Sequence, residues 1–261
     1  MKPLRRLFVF FLCLELFSCD GLFRLSPVLD NPFDPENDLY IDVSAEIPTA
    51  DLLAEYLFEG GTGDLGGSPG NYAADRFGNS DAALRFDGLS DYLALPDPAP
   101  GKFTSLSRTT LSLWFKAQEA EGTLLGCGRY GDVNDGWALR IAAGAYSYTP
   151  HVLNFHYADR SQEAGYNLVN EQWHHLVVMS TPKGIVISVD GSHAAGPLEQ
   201  GNLSWDTGDL YFYLGAERVN PAAGTEEAGA FFTGWMDDLR IYDGNLSQEE
   251  LYSLLLEGLL E

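Results

Sequence analysis

The chain has 261 residues, with 38 acidic against 15 basic side chains and a formal net charge of −23 at pH 7. This balance argues against nucleic acid as a partner, because phosphate binding needs clustered Lys and Arg. The length suits one large β domain plus a tail. The 28 Gly, 13 Tyr and 15 Phe residues favour short strands joined by turns.

Residues 1–18 are predicted to be a targeting segment, with basic residues ahead of the short apolar run 7–14. The sequence LFSC that ends at Cys19 resembles a bacterial lipobox, so we expect Cys19 to be acylated and to become the mature N-terminus. An ordinary cleaved signal peptide and an uncleaved anchor are the alternatives, although the run is short for a spanning helix. The motif predicts a lipoprotein of the bacterial cell envelope, anchored to the outer membrane or cell surface.

Residues 19–50 contain four prolines and several acids without sustained periodicity, which predicts an extended tether between lipid and domain. Of the three cysteines, Cys13 would be removed and Cys19 acylated, which leaves Cys127 in the mature chain. No disulfide can then form within one chain. Cys127 follows an apolar run and is interpreted as a small core residue.

The domain is predicted to begin near residue 51 and to consist of about eleven short strands. In the segment 109–117 the apolar residues alternate, with Leu111, Leu113 and Phe115 on one face. Asp87-Gly88 separates two strand-like runs and is read as a hairpin turn. Further strands are predicted in segments 52–58, 82–96, 122–128, 135–144, 151–159, 170–191 and 210–217.

The segment 233–256 is predicted to be a strand, a turn and a helix. Alternation from residue 235 places Asp237 on one face with Leu239 and Ile241, and Asp238 on the opposite face. A carboxylate on an apolar face needs a partner or a metal. Ser247 and Glu250 have the spacing of a capping box, in which each side chain binds a free backbone N–H at the helix start.

This ending resembles that of LamG-like jellyroll modules of the concanavalin A-like lectin/glucanase superfamily, in an acidic pair, an apolar-Arg-apolar-Tyr strand and a Leu-Ser turn. The residues that carry it are Gly234, Met236, Asp237, Asp238, Leu239, Arg240, Ile241, Tyr242, Leu246 and Ser247. Segment 82–96 is similar to a second family motif. The resemblance implies an all-β fold over residues 51–261: a two-sheet antiparallel jellyroll sandwich with a short C-terminal helix.

The same resemblance implies one Ca²⁺ at a sandwich edge, held by carboxylates and carbonyls as hard cations prefer. The matching residues are Asp237 and, in the first Gly-rich loop, Asp64, with Asp87 and Asp91 as auxiliary candidates. The ion would be structural rather than catalytic. The alternative for Asp237 is a buried carboxylate bonded within the protein.

The fold does not determine function, because it hosts lectins, glycosidases, adhesion modules and spacers. The chain has no E-x-D-x-(x)-E array of the superfamily's glucanases, so we expect a non-catalytic module that binds carbohydrate or a surface partner. A glycoside-active enzyme and a purely structural envelope module are the alternatives.

The predicted sugar contacts are aromatic residues set among polar loop residues, namely Trp205, Tyr130 and Tyr146. Four other tryptophans lie within strand patterns and are predicted to be core residues: Trp114, Trp137, Trp173 and Trp235. His174 and His175 are interpreted as structural histidines whose hydrogen bonds are made within the protein.

Overall fold

The computed structural model describes residues 46–60, 66–68, 71–95, 108–128, 136–142, 152–157, 160–164, 167–198, 212–219 and 227–257. The chain divides into two units between Asp42 and Val43, and every described residue belongs to the second. The predicted boundaries at residues 18 and 50 stay predictions. No helix in the described ranges is both long and apolar enough to cross a membrane.

One sheet of the described chain has eight antiparallel strands. Their order is β13-β12-β11-β6-β17-β4-β3, and β1 pairs with β17 off this path. The strands are Leu52–Tyr56 (β1), Asn71–Ala73 (β3), Ala83–Asp87 (β4), Thr109–Ala117 (β6), His174–Thr181 (β11), Gly184–Val189 (β12), Ser192–Leu198 (β13) and Thr233–Tyr242 (β17).

A second sheet contains seven strands of the described ranges, in the order β10-β9-β8-β7-β14-β5-β2. They are Gly66–Ser68 (β2), Tyr92–Leu95 (β5), Gly122–Gly128 (β7), Gly136–Ala142 (β8), Val152–Tyr157 (β9), Arg160–Ala164 (β10) and Phe212–Leu214 (β14). A two-stranded ribbon joins Glu217–Val219 (β15) to Glu227–Gly229 (β16).

The core lies between the two large sheets, because both contribute apolar residues to one buried cluster. From the eight-stranded sheet come Leu84, Phe86, Leu111, Leu113, Phe115, Leu176, Val178 and Met236, and from the seven-stranded sheet Leu93, Leu95, Leu125, Leu139, Ile141 and Leu214. Two antiparallel sheets packed face to face form a sandwich. The predicted jellyroll sandwich class is confirmed.

The structure corrects two details of the predicted strands. The described ranges contain seventeen strands rather than about eleven, and several have only three residues, which is too short for an alternation pattern to mark them. Asp87-Gly88 does not close a hairpin, because β4 and β5 belong to different sheets. The turn instead carries the chain from one sheet to the other.

Strand β17 contains a bulge that overturns the predicted faces of its residues. Asp237 pairs with Trp114 and Arg240 with Ser112, so three steps along β17 match two along β6. The extra residue lies at Asp238, whose φ is 46°. Met236 before the bulge and Leu239 after it therefore both face the core.

Helix α1, Gln248–Leu255, follows β17 as predicted. Ser247 accepts a hydrogen bond from the backbone N–H of Glu250, while the Glu250 carboxylate accepts one from the backbone N–H of Ser247. This is the predicted capping box. A Cβ placed on Gly191 would lie 2.8 Å from Leu255, so the helix packs against the turn between β12 and β13.

Candidate functional site

The bulge in β17 brings Asp237 and Asp238 to the same guanidinium, although strict alternation predicts opposite faces for them. Arg76 Nη1 donates to Asp237 Oδ2 at 2.8 Å and also to Asp238 Oδ2. Because Met236 and Leu239 face the core, Asp237 lies on the outer face of the sheet. The prediction that Asp237 shares the apolar face of Leu239 and Ile241 is therefore wrong.

A network of two arginines and four carboxylates surrounds this contact, and we name it the paired cluster. Its members are Arg76, Arg240, Asp237, Asp238, Glu55 and Glu257. Glu257 accepts from Arg240 through both carboxylate oxygens at 2.8 Å and from Arg76 at 2.9 Å. Glu55 accepts from Arg240 Nε at 2.7 Å.

Carboxylates outnumber guanidinium groups in the paired cluster, and its arginines and aspartates are buried. Only 3% of the Asp237 side chain and 6% of the Arg76 side chain are exposed. Burial, together with the neighbouring charge of Asp238, raises the pKa of Asp237 despite Arg76. Burial raises the pKa of Asp238 as well. Burial therefore favours the protonated forms of these two aspartates more than water does.

The calcium prediction gains no support from the described residues. The position between Asp237 and Asp238 is taken by the guanidinium of Arg76, which already supplies the positive charge. Within the described ranges, no group of three or more His, Cys, Asp or Glu residues is arranged to hold a metal ion. Asp64 lies outside those ranges, so calcium binding stays a prediction.

Asp87 acts within its own turn. Its Oδ1 accepts hydrogen bonds from the backbone N–H groups of Leu89, Ser90 and Asp91, at 2.8 to 3.0 Å. These backbone donors lower the pKa of Asp87 to about 2. Asp91 in turn accepts from the backbone N–H of Asp87 at 3.0 Å. The two carboxylates fix the crossing between the sheets.

A second group of side chains crosses the same outer face, and we name it the open row: Arg85, Trp235, Lys116 and Trp173. Arg85 on β4 is directly opposite Trp235 on β17, which is opposite Lys116 on β6. Trp173 immediately precedes β11, in which His174 pairs with Phe115. Extending this antiparallel register by one residue places Trp173 opposite Lys116.

The open row points away from the core, because its strand neighbours point into it. Leu84 and Phe86 flank Arg85, and Phe115 and Ala117 flank Lys116. Arg85 is exposed and the other three members are partly exposed. The prediction that Trp235 and Trp173 are core residues is therefore wrong.

The two cations of the open row lie against the tryptophan rings. Lys116 Nζ is 4.2 Å from the centroid of the Trp235 ring and 5.6 Å from that of Trp173. Arg85 Cζ is 5.9 Å from the Trp235 centroid. Such distances allow cation–π attraction. The row is thus a mixed aromatic and cationic surface across at least three strands.

Trp114 also lies on the outer face, between the open row and the paired cluster, and was likewise predicted to be a core residue. Its ring is 4.8 Å from Arg76 Cζ and 4.9 Å from the ring of His175. His175 Nε2 lies 2.8 Å from Ser112 Oγ, and burial lowers the pKa of His175 to about 3. His174 is within hydrogen-bonding distance of Asp190 and Asn170. Both histidines have the structural contacts that were predicted.

Several predicted residues lie outside the described ranges. They are Cys19, Asp64, Tyr130, Tyr146 and Trp205, together with the side chains of Cys127 and Trp137. Sequence reasoning missed the open row altogether. The signal was present within each strand, since Arg85 and Lys116 each interrupt an apolar alternation. Only the strand order brings the four residues together.

Comparison with known proteins gives a family and several structures of the same fold. The family described as the concanavalin A-like lectin/glucanases superfamily (Laminin_G_3) matches residues 86–252. No curated protein sequence matches the chain.

Among solved structures, domain 4 of AbnA, a GH43 extracellular arabinanase from Geobacillus stearothermophilus in complex with arabinotriose, is 20% identical. The match has a TM-score of 0.53 and covers 79% of this chain and 98% of that one. The CBM40 of Ruminococcus gnavus IT-sialidase is 16% identical, with a TM-score of 0.50 and coverages of 66% and 96%. Trypanosoma rangeli sialidase in complex with sialic acid is 20% identical, with a TM-score of 0.53, and the match spans 80% of this chain but 33% of the sialidase.

Proposed function

Because the chain belongs to the concanavalin A-like lectin/glucanase superfamily, we propose that its domain is a non-catalytic carbohydrate-binding module. The observation that carries the proposal is the open row, in which two partly exposed tryptophans and two cations share one sheet face. Sugar sites combine flat aromatic surfaces with a few polar groups that fix orientation. The arabinanase domain that shares this fold was solved with a bound oligosaccharide.

The rival proposal is a glycoside hydrolase, which would need two carboxyl groups beside an accessible glycosidic bond. Asp237 and Asp238 are close together and have raised pKa values, which is a property of some catalytic acids. Their side chains are only 3% and 10% exposed, and both bind Arg76. A sugar ring could not reach them without displacing Arg76, so this pair favours structure over catalysis.

The test is a glycan array and a calorimetric titration on the purified full-length chain and three alanine variants. We expect binding that Trp235→Ala abolishes and Phe77→Ala preserves. Phe77 is the matched control because it is 44% exposed and its ring contacts Arg76 rather than the open row. Trp205→Ala examines the loop residues predicted from the sequence.

The outcomes separate the alternatives. Binding that survives Trp235→Ala but not Trp205→Ala would support carbohydrate binding but place the binding site in the loops. Release of reducing sugar would favour the enzyme. A blank array would contradict the proposal and leave a structural or protein-binding module.

We further propose that Cys19 carries a lipid that holds the domain at the bacterial envelope, at the outer membrane or the cell surface. The support is the sequence LFSC after a basic and apolar N-terminus. Stable anchoring takes more than one acyl chain. Labelling with a palmitate analogue should mark the wild type and spare Cys19→Ser, and equal labelling of both would contradict the proposal.

A further inference from the structure

We propose that the open row selects saccharides that carry a carboxylate, with Arg85 and Lys116 binding the carboxylate and Trp235 and Trp173 flanking the sugar. This inference rests on the proposed function and adds the class of ligand.

The open-row cations have no carboxylate partner among the described residues, as is also true of the exposed Arg108 and Lys183. Arg76, Arg240 and Arg140 each bind at least one carboxylate. In the described part of the chain, neither Arg85 nor Lys116 forms an ion pair, although acidic residues outnumber basic ones by 38 to 15. The positive charge of Arg85 opposes the rise in the pKa of Asp91 that burial causes, but the two side chains form no ion pair. Arg85 and Lys116 differ from those two exposed cations because both lie against the Trp235 ring, where one anionic ligand can reach both.

The positions of the cations favour an acidic sugar over a neutral one. Lys116 lies close to the Trp235 ring, and Arg85 lies near the same ring. A neutral sugar that stacks on this ring would have to displace them. A carboxylate can instead bind the cations where they are, and a charge-assisted hydrogen bond is stronger than a neutral one. Contact with the rings already orders the two side chains, which lowers the cost of binding.

The backbones that carry the two cations are about as far apart as a short oligosaccharide is long, and both charged groups reach toward the Trp235 ring between them. Arg85 and Lys116 lie on β4 and β6, with β17 between them. Two strand spacings amount to roughly 10 Å. This is about the length of two linked pyranose rings. One sugar could place its carboxylate on either cation while the next ring lies along the Trp173 ring, which is farther from Lys116 than the Trp235 ring is.

The net charge of the chain restricts the ligand further. A formal charge of −23 repels densely charged polyanions such as nucleic acid or heavily sulfated chains. Two isolated cations cannot offset that repulsion. An oligosaccharide that is mostly neutral and bears one or two carboxylates, as a sialylated or uronic acid-containing glycan does, fits both the local and the overall charge.

The experiment is a calorimetric titration of the full-length chain with two matched pairs of sugars. One pair is sialyllactose and lactose, and the other is an oligogalacturonate and its methyl ester. We expect the acidic member of at least one pair to bind about tenfold more tightly at low salt, and the difference to shrink at high salt. Lys116→Gln and Arg85→Gln should each reduce the difference. Lys183→Gln, an exposed lysine in the β11–β12 turn, should leave it unchanged.

Thermal melts check that the three variants remain folded. We expect them to do so because all three substitutions replace outward-facing side chains. Equal affinity for both members of each pair would overturn the inference while leaving carbohydrate binding intact. A preference for acid that Lys183→Gln reduces as much as Lys116→Gln would overturn it as well. Absence of binding to all four sugars and to the array would contradict the proposed function itself.

Discussion

The outer face of the eight-stranded sheet presents two groups of charged side chains that the protein treats in opposite ways. In the paired cluster, Arg76 and Arg240 are buried and bind four carboxylates. In the open row, Arg85 and Lys116 lie nearer to solvent, against tryptophan rings and without carboxylates among the described residues. The difference indicates that the first group serves stability and that the second is free to serve binding.

The largest expected effect comes from removing one guanidinium from each group. Arg76→Met leaves Asp237 and Asp238 buried beside each other without their shared cation, and breaking a buried ion pair in this way costs about 3–5 kcal/mol. Arg85→Met removes an exposed charge and should cost less than about 1 kcal/mol. Urea unfolding of both variants measures the contrast. Equal losses would mean that the two groups do not differ in role.

A smaller contrast is expected between the tryptophans that belong to the two regions. The Trp114 ring lies close to both Arg76 and His175, so Trp114→Ala should leave a cavity and cost about 3–5 kcal/mol. The Trp235 ring is partly exposed and lies against the cationic side chains of Arg85 and Lys116, so Trp235→Ala should cost about 1–2 kcal/mol. Unfolding free energies of the two variants test the order. The reverse order would place the stabilising contacts in the open row.

The smallest effect concerns pH. A carboxyl group whose pKa is raised in the folded state adds stability at low pH and loses it as pH rises through the folded value. Since burial raises the pKa of Asp237 to about 8, the domain should lose about 1 kcal/mol between about pH 6.5 and pH 7.5. Starting near pH 6.5 limits the contribution of buried His175, which loses stability as pH falls below its ordinary value.

Replacing Asp237 tests whether the paired cluster causes this loss of stability with rising pH. Asp237→Asn cannot ionise and should flatten the dependence in denaturant titrations at each pH. Asp81→Asn is the matched control, because Asp81 is exposed and has a positive φ that Asn tolerates. A slope that survives Asp237→Asn but not Asp81→Asn would place the titrating group outside the cluster.

The sequence predicts local structure well where a pattern lies within one segment. The Ser247–Glu250 capping box marks the start of α1, and the alternation of Leu111, Leu113 and Phe115 marks the inner face of β6. Both signals depend on residues a few positions apart. The fold class follows from many such segments and is confirmed.

Prediction fails where one residue changes the register or where distant segments meet. The bulge at Asp238 reverses the faces of β17 between Asp237 and Leu239, and its positive φ falls on an aspartate rather than a glycine, so no residue type announces it. Arg76 is 161 positions from Asp237. A partner so distant in sequence can be found only once the strand order is known.

Pairing of the first and last strands has a consequence for the architecture of larger proteins. Leu52 on β1 lies opposite Tyr242 on β17, and the backbone N–H of Asp243 donates to the carbonyl of Asp51 at 2.8 Å. The polypeptide therefore enters and leaves the sandwich at neighbouring points. A domain whose first and last strands pair in this way can be inserted into a surface loop of another protein, or circularly permuted, because its two points of connection lie close together.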